Sequence, residues 1–221
     1  TLILSIAMFV AMLLGNDPDF KQEASFTWLD MGAFSIQLGF LVDNITVIML
    51  LVVALISTCT HIFSLKYLEG DIRYSRYFAY LGLFTFSMNG IVLSNNLISM
   101  YMSWELVGVS SYLLIGHWFE KDSAADAAKK AFLTNRVGDI GFFIGIMLIY
   151  TAIGSFVFGD IFEGVSTGMI SGTTLTLAGV GLFLGAMGKS SQFPLHIWLP
   201  DAMEGPTPVS ALMHAATMVA A

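Results

Sequence analysis

Ionisable residues lie inside long apolar runs of this sequence, where a charge is costly and usually serves a function. Glu105 lies near the middle of the run 97–118, and Lys189 follows the run 174–187. A charged side chain that faces hydrocarbon costs about 2.5–3.5 kcal/mol on insertion scales. We therefore expect both side chains to face other helices, water or a partner, and to be able to bind or transfer an ion or a proton.

Glu105 shares one helical face with Tyr101, Gly108 and Tyr112 by the three-and-four residue spacing. Two interpretations are open for its carboxyl group. It could be a neutral, hydrogen-bonded acid that holds helices together, or it could be a proton or ion site. The cost of burying a carboxylate favours the functional interpretation.

A second group of charges occupies the run 131–153 and its start. Arg136 and Asp139 are three residues apart, so they could form a pair on one helix that neutralises both charges. Lys130 lies near the entrance of that helix and could extend to the membrane interface. The alternative is that these residues belong to a path for protons.

Lys189 is followed by four of the five prolines of the chain, beginning with Pro194. Proline interrupts the hydrogen-bond ladder of a helix, which is tolerated inside a membrane only where the freed groups are buried in protein or line a cavity. We therefore predict a broken-helix region over about 174–206. Lys189 could extend to the interface, or it could change its charge state when a neighbouring charge moves, as a proton relay requires.

His214 lies in a helix start rich in small residues, and histidine can pass a proton between its two ring nitrogens. It could equally be a hydrogen-bonded structural residue. A haem held by two histidines is the rival chemistry, but no pairing is evident among the four histidines. With one cysteine and no glycine-rich phosphate loop, we expect no redox chemistry, cofactor or metal in this chain.

The composition is that of a membrane protein, with 56% hydrophobic and 11% charged residues. The net charge of −7 disfavours binding to nucleic acids. We predict an all-α, polytopic transmembrane bundle with about seven spans, forming one transmembrane domain over 1–221. Residues 15–38 are interpreted as an acidic loop. Because the chain starts at Thr1 and stops inside an apolar stretch, we expect a fragment of a longer polypeptide.

The distribution of basic residues predicts an orientation. The connectors 66–76 and 118–130 fall on one side of the membrane and hold six of the nine lysines and arginines. The positive-inside rule places that side in the cytoplasm or its organellar equivalent. Small residues recur at helix-packing spacing in Gly141-Phe-Phe-Ile-Gly145 and Gly181-Leu-Phe-Leu-Gly185, which predicts close helix contacts.

Three stretches resemble a known family. They are Met-Ser-Trp-Glu-Leu-Val-Gly at 102–108, Lys-Ala-Phe-Leu-Thr-Asn-Arg-Val-Gly-Asp at 130–139, and the long proline-containing stretch 188–218. Together they resemble the antiporter-like subunits of respiratory complex I, most closely the family of the distal subunit L, or chain 5, of NADH–quinone oxidoreductase. The resemblance implies an antiporter-like fold of two inverted five-helix repeats, each with a broken helix, of which this chain covers the first.

The resemblance also implies roles for individual residues. Glu105 would pair with Lys189 across the bundle and modulate its charge state, and water-linked residues would pass protons onward. The remaining members of the implied relay are Arg136, Asp139, Lys130 and His214.

The implied function is that of a proton-translocating membrane subunit of complex I, part of an enzyme whose redox chemistry occurs elsewhere. NADH, FMN, iron–sulfur clusters and quinone would bind to partner subunits, and a neighbouring antiporter-like subunit would be a direct partner. The expected location is the bacterial plasma membrane, with the mitochondrial inner membrane or the thylakoid as alternatives. The rival functions are the large subunit of a multisubunit sodium/proton antiporter and a structural membrane subunit without its own proton path.

Overall fold

The computed structural model describes residues 1–15, 17, 20–32 and 35–219. Most of the described chain is helical, as predicted, although a β-hairpin is also present. In chain order the main elements are α1 (Leu2–Gly15), β1 (Lys21–Asp30), β2 (Ser35–Asp43), α2 (Asn44–Tyr67), α3 (Tyr74–Leu93), α4 (Leu97–Ile115), α5 (Asp122–Ile153), α6 (Phe158–Ser166), α7 (Gly172–Lys189) and α8 (Thr207–Ser210).

The hairpin corrects the prediction of an acidic loop over 15–38 and of an all-α fold. Strands β1 and β2 pair antiparallel from Lys21 opposite Asp43 to Asp30 opposite Ser35. The turn uses Gly32 at φ 78°, a conformation that glycine adopts without strain, and its N–H donates to the Asp30 carboxylate at 2.9 Å. The loop interpretation gave weight to the acidic residues and overlooked that Phe26 and Trp28 alternate with polar residues, a pattern typical of strands.

Three described helices are long and apolar enough to cross a membrane, namely α2, α4 and α5. This number is smaller than the predicted seven spans. Helix α5 merges the predicted charged connector and the following span into 32 residues, about 48 Å at about 1.5 Å per residue. Because a hydrocarbon core is about 30 Å thick, one end of α5 can lie outside it.

Side-chain caps fix where α2 and α4 begin. Asp43 accepts a hydrogen bond from the backbone N–H of Thr46 at 2.8 Å and caps α2. Asn96 caps α4 through the N–H of Ser99, also at 2.8 Å. Each cap satisfies one of the backbone donors that a helix start leaves unpaired, a requirement that becomes stricter near a membrane.

The two basic connectors contact each other, which supports their placement on one side of the bundle. Asp71 accepts hydrogen bonds from the indole N–H of Trp118 at 3.1 Å and from the backbone N–H of Arg73 at 2.7 Å. His117 Nε2 lies 3.4 Å from the same carboxylate, and Arg73 forms an ion pair with Glu120. We call Asp71, His117 and Trp118 the connector latch.

Helices α5 and α7 pack with their backbones close together, as the small-residue spacing predicted. A Cβ placed on Gly145 would lie 2.7 Å from the carbonyl oxygen of Ala178, and one placed on Gly181 would lie 2.7 Å from the carbonyl oxygen of Gly141. Such distances leave no room for a side chain. The glycine seam of Gly141, Gly145 and Gly181 therefore sets how near Lys189, at the end of α7, comes to α5.

Helix α7 ends before the first of the prolines that follow it. Its last residue is Lys189, and Ser191 adopts a φ of 51°, so the helix breaks before Pro194. The indole N–H of the buried Trp198 donates to the carbonyl oxygen of Gly188 at 3.0 Å and satisfies one acceptor of the open helix end. Two short 3-10 turns, Leu195–Trp198 and Asp201–Glu204, then lead to α8, which continues as the π-helix Ala211–Thr217.

Candidate functional site

Lys189 lies at the centre of a buried group of charges between α4, α5 and α7. Its Nζ atom is 4.0 Å from Oδ2 of Asp139 on α5, and both side chains are only 3% exposed. Within the described chain the ammonium has no hydrogen-bond acceptor, so the attraction is electrostatic and acts across a gap. At 4 Å and an effective dielectric constant of about 20, two unit charges interact by about 4 kcal/mol. A change of charge on Asp139 would therefore be strongly felt by Lys189.

Helix α4 holds this pair in place through Trp104 and Gly108. The indole N–H of Trp104 donates to Oδ1 of Asp139 at 2.7 Å, and its ring lies 5.9 Å from the Lys189 ammonium. A Cβ placed on Gly108 would lie 2.7 Å from Lys189 Nζ, so the absence of a side chain provides the space that the ammonium occupies. Trp104 thus orients the Asp139 carboxylate, and Gly108 leaves room for the Lys189 ammonium.

Glu105 and Arg136 form a second pair between the same two helices. The Arg136 guanidinium contacts the Glu105 carboxylate and lies 4.6 Å from the centre of the Phe132 ring. Their side chains are 20% and 33% exposed, so this pair is less buried than Lys189 and Asp139. Both pairs thus link α5 to another helix.

Among the described residues, the open possibility of a local pair between Arg136 and Asp139 is therefore not realised. The spacing allowed it, but each residue finds its partner on another helix because α4 and α7 bring opposite charges close to α5. The resemblance implied that Glu105 would be the partner of Lys189. In the structure the carboxylate within 4.0 Å of Lys189 is that of Asp139, and Glu105 pairs with Arg136.

A cavity of about 220 Å³ adjoins Lys189. Its other lining residues are the apolar or aromatic Met88, Ile91, Met100, Trp104, Val107 and Met218. The cavity is large enough for several water molecules, but its walls offer few polar partners to hold them. Among the described lining residues, Lys189 is the one cation.

The remaining predicted relay residues lie apart from this group or beyond the described side chains. Lys130 forms an ion pair with Asp201 at 2.5 Å, with side chains 42% and 48% exposed. It precedes Asp139 on α5 by nine residues, about 14 Å along the helix. The backbone of His214 lies in the π-helix, and its side chain is outside the described residues.

Three residues of the site escaped the analysis of the sequence: Trp104, Asn135 and Asp201. Trp104 could have been found because an indole N–H in an apolar span needs an acceptor, and Asp139 is one of few candidates. Asn135 lies one turn before Asp139, and its Oδ1 atom is buried without a hydrogen-bond partner in the described chain. No sequence signal distinguishes Asp201 from other loop acids.

Comparison with known proteins agrees with this architecture. A family model described as "NADH:quinone oxidoreductase/Mrp antiporter, TM" matches residues 94–221, which include the three helices α4, α5 and α7 that hold the buried charges. The chain belongs to this family. A second model, described as the chain 5 N-terminus of NADH-ubiquinone oxidoreductase (complex I), matches residues 28–78 of this antiporter-family chain.

Similar curated proteins carry consistent names. One is NAD(P)H-quinone oxidoreductase chain 5 of Synechocystis sp., 51% identical over 88% of this chain and 29% of its own length. Another is the chloroplastic NAD(P)H-quinone oxidoreductase subunit 5 of Chlorokybus atmophyticus, 48% identical over 100% of this chain and 35% of its own length. The chain thus spans about a third of the length of these relatives.

A solved structure shares the fold. The Mrp complex from Dietzia sp. superimposes with a TM-score of 0.82 and 26% identity, over 99% of this chain and 24% of the matched chain. Both branches that the family description names are thus represented among the similar proteins.

Proposed function

We propose that this antiporter-family chain is part of a proton-translocating membrane subunit of an NAD(P)H–quinone oxidoreductase. The observation that carries the proposal is the buried pair Lys189 and Asp139, positioned at the broken end of α7 by Trp104 and Gly108. Buried charges with a poorly satisfied ammonium are expensive to maintain, and such groups inside a membrane usually serve transport. The names of the similar cyanobacterial and chloroplast proteins supply the reaction to which transport would be coupled.

The two charge pairs suggest how the coupling works. While Arg136 faces Glu105 and Asp139 faces Lys189, the opposite charges of each pair offset part of the cost of burying them. If a proton or a conformational change weakens one pair, the balance of charge at the other changes. Lys189 then gains or loses its proton, because no hydrogen bond to the described residues has to break. Glu105 acts on Lys189 through this network, as the resemblance implied, although its direct partner is Arg136.

The path through the chain would follow α5. Lys130 and Asp201 form the more exposed pair at one end, Lys189 and Asp139 form the buried centre, and His214 on the π-helix would lead onward. Water entering the cavity beside Lys189 would complete the connections. Asn135, with its free carbonyl oxygen one turn from Asp139, offers a polar contact for such water.

The complete subunit would contain the second inverted repeat, and about seven spans of this chain would form the first repeat with its surroundings. NADH, FMN, iron–sulfur clusters and quinone would bind to partner subunits, with a neighbouring antiporter-like subunit in direct contact. We expect a bacterial plasma membrane, and the cyanobacterial and chloroplast relatives favour the thylakoid as the alternative.

A second function has its own support. The likeness to the Mrp complex over 99% of this chain favours the large subunit of a sodium/proton antiporter that works without a redox partner. Sodium-dependent proton exchange in vesicles, measured without an electron donor, separates the two. Sodium-dependent exchange as fast as that of the complete native complex would favour the antiporter. The absence of such exchange would favour the oxidoreductase.

The deciding experiment replaces Lys189 by alanine in the full-length subunit within its native complex. Proton uptake and donor oxidation are recorded together in sealed vesicles after assembly has been confirmed. We expect proton uptake to fall at least tenfold, while the control Lys66→Ala, at an exposed lysine paired with Glu69, retains it. Unchanged uptake per assembled complex in Lys189→Ala would refute the proposal and support the structural interpretation of these charges.

A further inference from the structure

A second, separate cavity lies at the basic side of the bundle. It has a volume of about 170 Å³ and lies where α3 begins, α4 ends and α5 begins. We call it the connector cavity. Its lining residues are Arg76, Tyr80, Tyr112, Leu113, Gly116, His117, Phe119, Ala125, Ala128 and Lys129.

The charged residues that line the connector cavity are basic. Arg76 and Lys129 line it together with His117, and no aspartate or glutamate is among its described lining residues. Arg76 has no carboxylate partner within the part of the chain that the structure describes. Lys129 contacts Asp126 at 3.1 Å, but both side chains are more than 60% exposed, and such surface pairs contribute little. The cavity therefore presents positive charge that this chain does not neutralise.

His117 adds a buried polar group to the wall of the connector cavity. The residue is only 3% exposed, and its Nε2 atom faces Asp71 in the connector latch. Its Nδ1 atom is buried and has no hydrogen-bond partner among the described residues. A buried polar atom without a partner is unusual and points to a group that the protein alone does not supply.

We propose that the connector cavity binds the anionic phosphate headgroup of a membrane lipid. The volume of about 170 Å³ is below the roughly 300–1,000 Å³ of sites for whole small molecules, so it suits a headgroup better than a nucleotide or quinone. The cavity lies among the connectors that the positive-inside rule places at the membrane surface. Basic residues at that level attract anionic lipids, and Tyr80 and Tyr112 suit the interface.

The binding can be tested with a photoactivatable phosphatidylglycerol probe on the complex that contains the full-length subunit. Crosslinks are counted at peptides that cover residues 112–129. We expect the double variant Arg76→Gln/Lys129→Gln to lose about twenty-five-fold in crosslinking, since each cation near the surface contributes about fivefold. The matched double variant Lys66→Gln/Lys121→Gln removes two charges from the same side but none from the cavity, and it should retain the crosslinks.

Three results would overturn the proposal. Equal crosslinking by a zwitterionic phosphatidylcholine probe, in which choline balances the phosphate charge, would show that the cavity does not select a net anionic headgroup. Equal losses in both double variants would show a general surface attraction. If millimolar inorganic phosphate displaces the probe, the cavity is a site for a soluble anion rather than a lipid. Proton uptake of the same variants keeps this test separate from the transport proposal, because neither variant alters Lys189 or its partners.

Discussion

At the scale of single residues, the site depends on two neighbours of Glu105 that carry no charge. Trp104 donates to Asp139 at 2.7 Å, and Gly108 leaves the space that the Lys189 ammonium fills. The charged residues could be recognised in the sequence because charge in an apolar run is costly. Which charged residues contact each other depends on positions within tenths of an ångström. Uncharged neighbours such as Trp104 and Gly108 determine those positions.

Trp104→Phe should keep an aromatic ring at this position and remove the indole N–H that donates to Asp139. A hydrogen bond to a charged group contributes about 1.5–3 kcal/mol, so we expect lower thermal stability of the assembled subunit and slower proton uptake. Trp28→Phe, at a 55% exposed residue of β1, is the matched control. If both variants lose equal stability and uptake, the bond to Asp139 has no role in either.

Gly108→Ala should displace Lys189, because the added methyl group would lie 2.7 Å from its Nζ atom. Because Nζ is the far end of a flexible side chain, it can move aside at little cost in stability, and we expect the displaced ammonium to reduce proton uptake. Gly82→Ala on α3 meets nothing within 4 Å and should stabilise that helix slightly. Proton uptake and thermal stability of the two variants are measured, and equal proton uptake would contradict the space-filling argument.

At the scale of elements, the close contact of α5 and α7 determines where Lys189 lies. The seam of Gly141, Gly145 and Gly181 brings the two backbones together along the whole length of α7. Helix α7 then ends at Lys189, with Trp198 bonded to the carbonyl oxygen of Gly188. A substitution in the glycine seam should therefore change the position of Lys189 at the end of α7.

Gly181→Ala should separate α5 from α7, since its Cβ would lie 2.7 Å from the carbonyl oxygen of Gly141, a backbone atom that cannot move aside cheaply. We expect a loss of about 1–3 kcal/mol in stability together with reduced proton uptake. Gly179→Ala, two residues away on the same helix, meets nothing within 4 Å. Protease resistance of the assembled subunit measures the difference, which should be absent if the helices are loosely packed.

At the scale of the whole molecule, the connector latch joins two loops on the basic side. Burial raises the pKa of Asp71, but its hydrogen bonds with Arg73, Trp118 and His117 outweigh burial and hold the pKa below 3.8. Burial lowers the pKa of His117 below its usual value of 6.5, despite the attraction of Asp71. Both shifts therefore favour the latch near neutral pH.

The latch predicts a pH dependence with a definite sign. The pKa of His117 is lower in the folded chain than in the unfolded chain. As the pH falls below about 6.5, the unfolded chain therefore binds more protons at this histidine than the folded chain, and the free energy of unfolding decreases. The contribution of Asp71 is present above about 3.8 and is lost as the pH falls through its lowered folded-state pKa. Thermal stability of the assembled subunit between pH 8 and 5 measures the His117 effect. His117→Gln should flatten this decline, whereas His196→Gln, at an exposed histidine, should not.

The sequence by itself determined the membrane character, the positions of the buried charges and the close approach of α5 and α7. These features follow from local chemistry: apolar length, the cost of charge and the spacing of glycines. The family resemblance also rested on contiguous residues, and the family match confirmed it.

Only the tertiary structure decided how the charges pair and where the chain departs from helices. Arg136 could reach Asp139 on its own helix, yet it meets Glu105 because α4 packs beside it, and Lys189 meets Asp139 because the glycine seam brings α7 close. The β-hairpin depends on the pairing of two segments, and the short alternation within either one does not specify that pairing. Pairings between distant residues depend on the relative placement of elements, which no local spacing in a single sequence specifies.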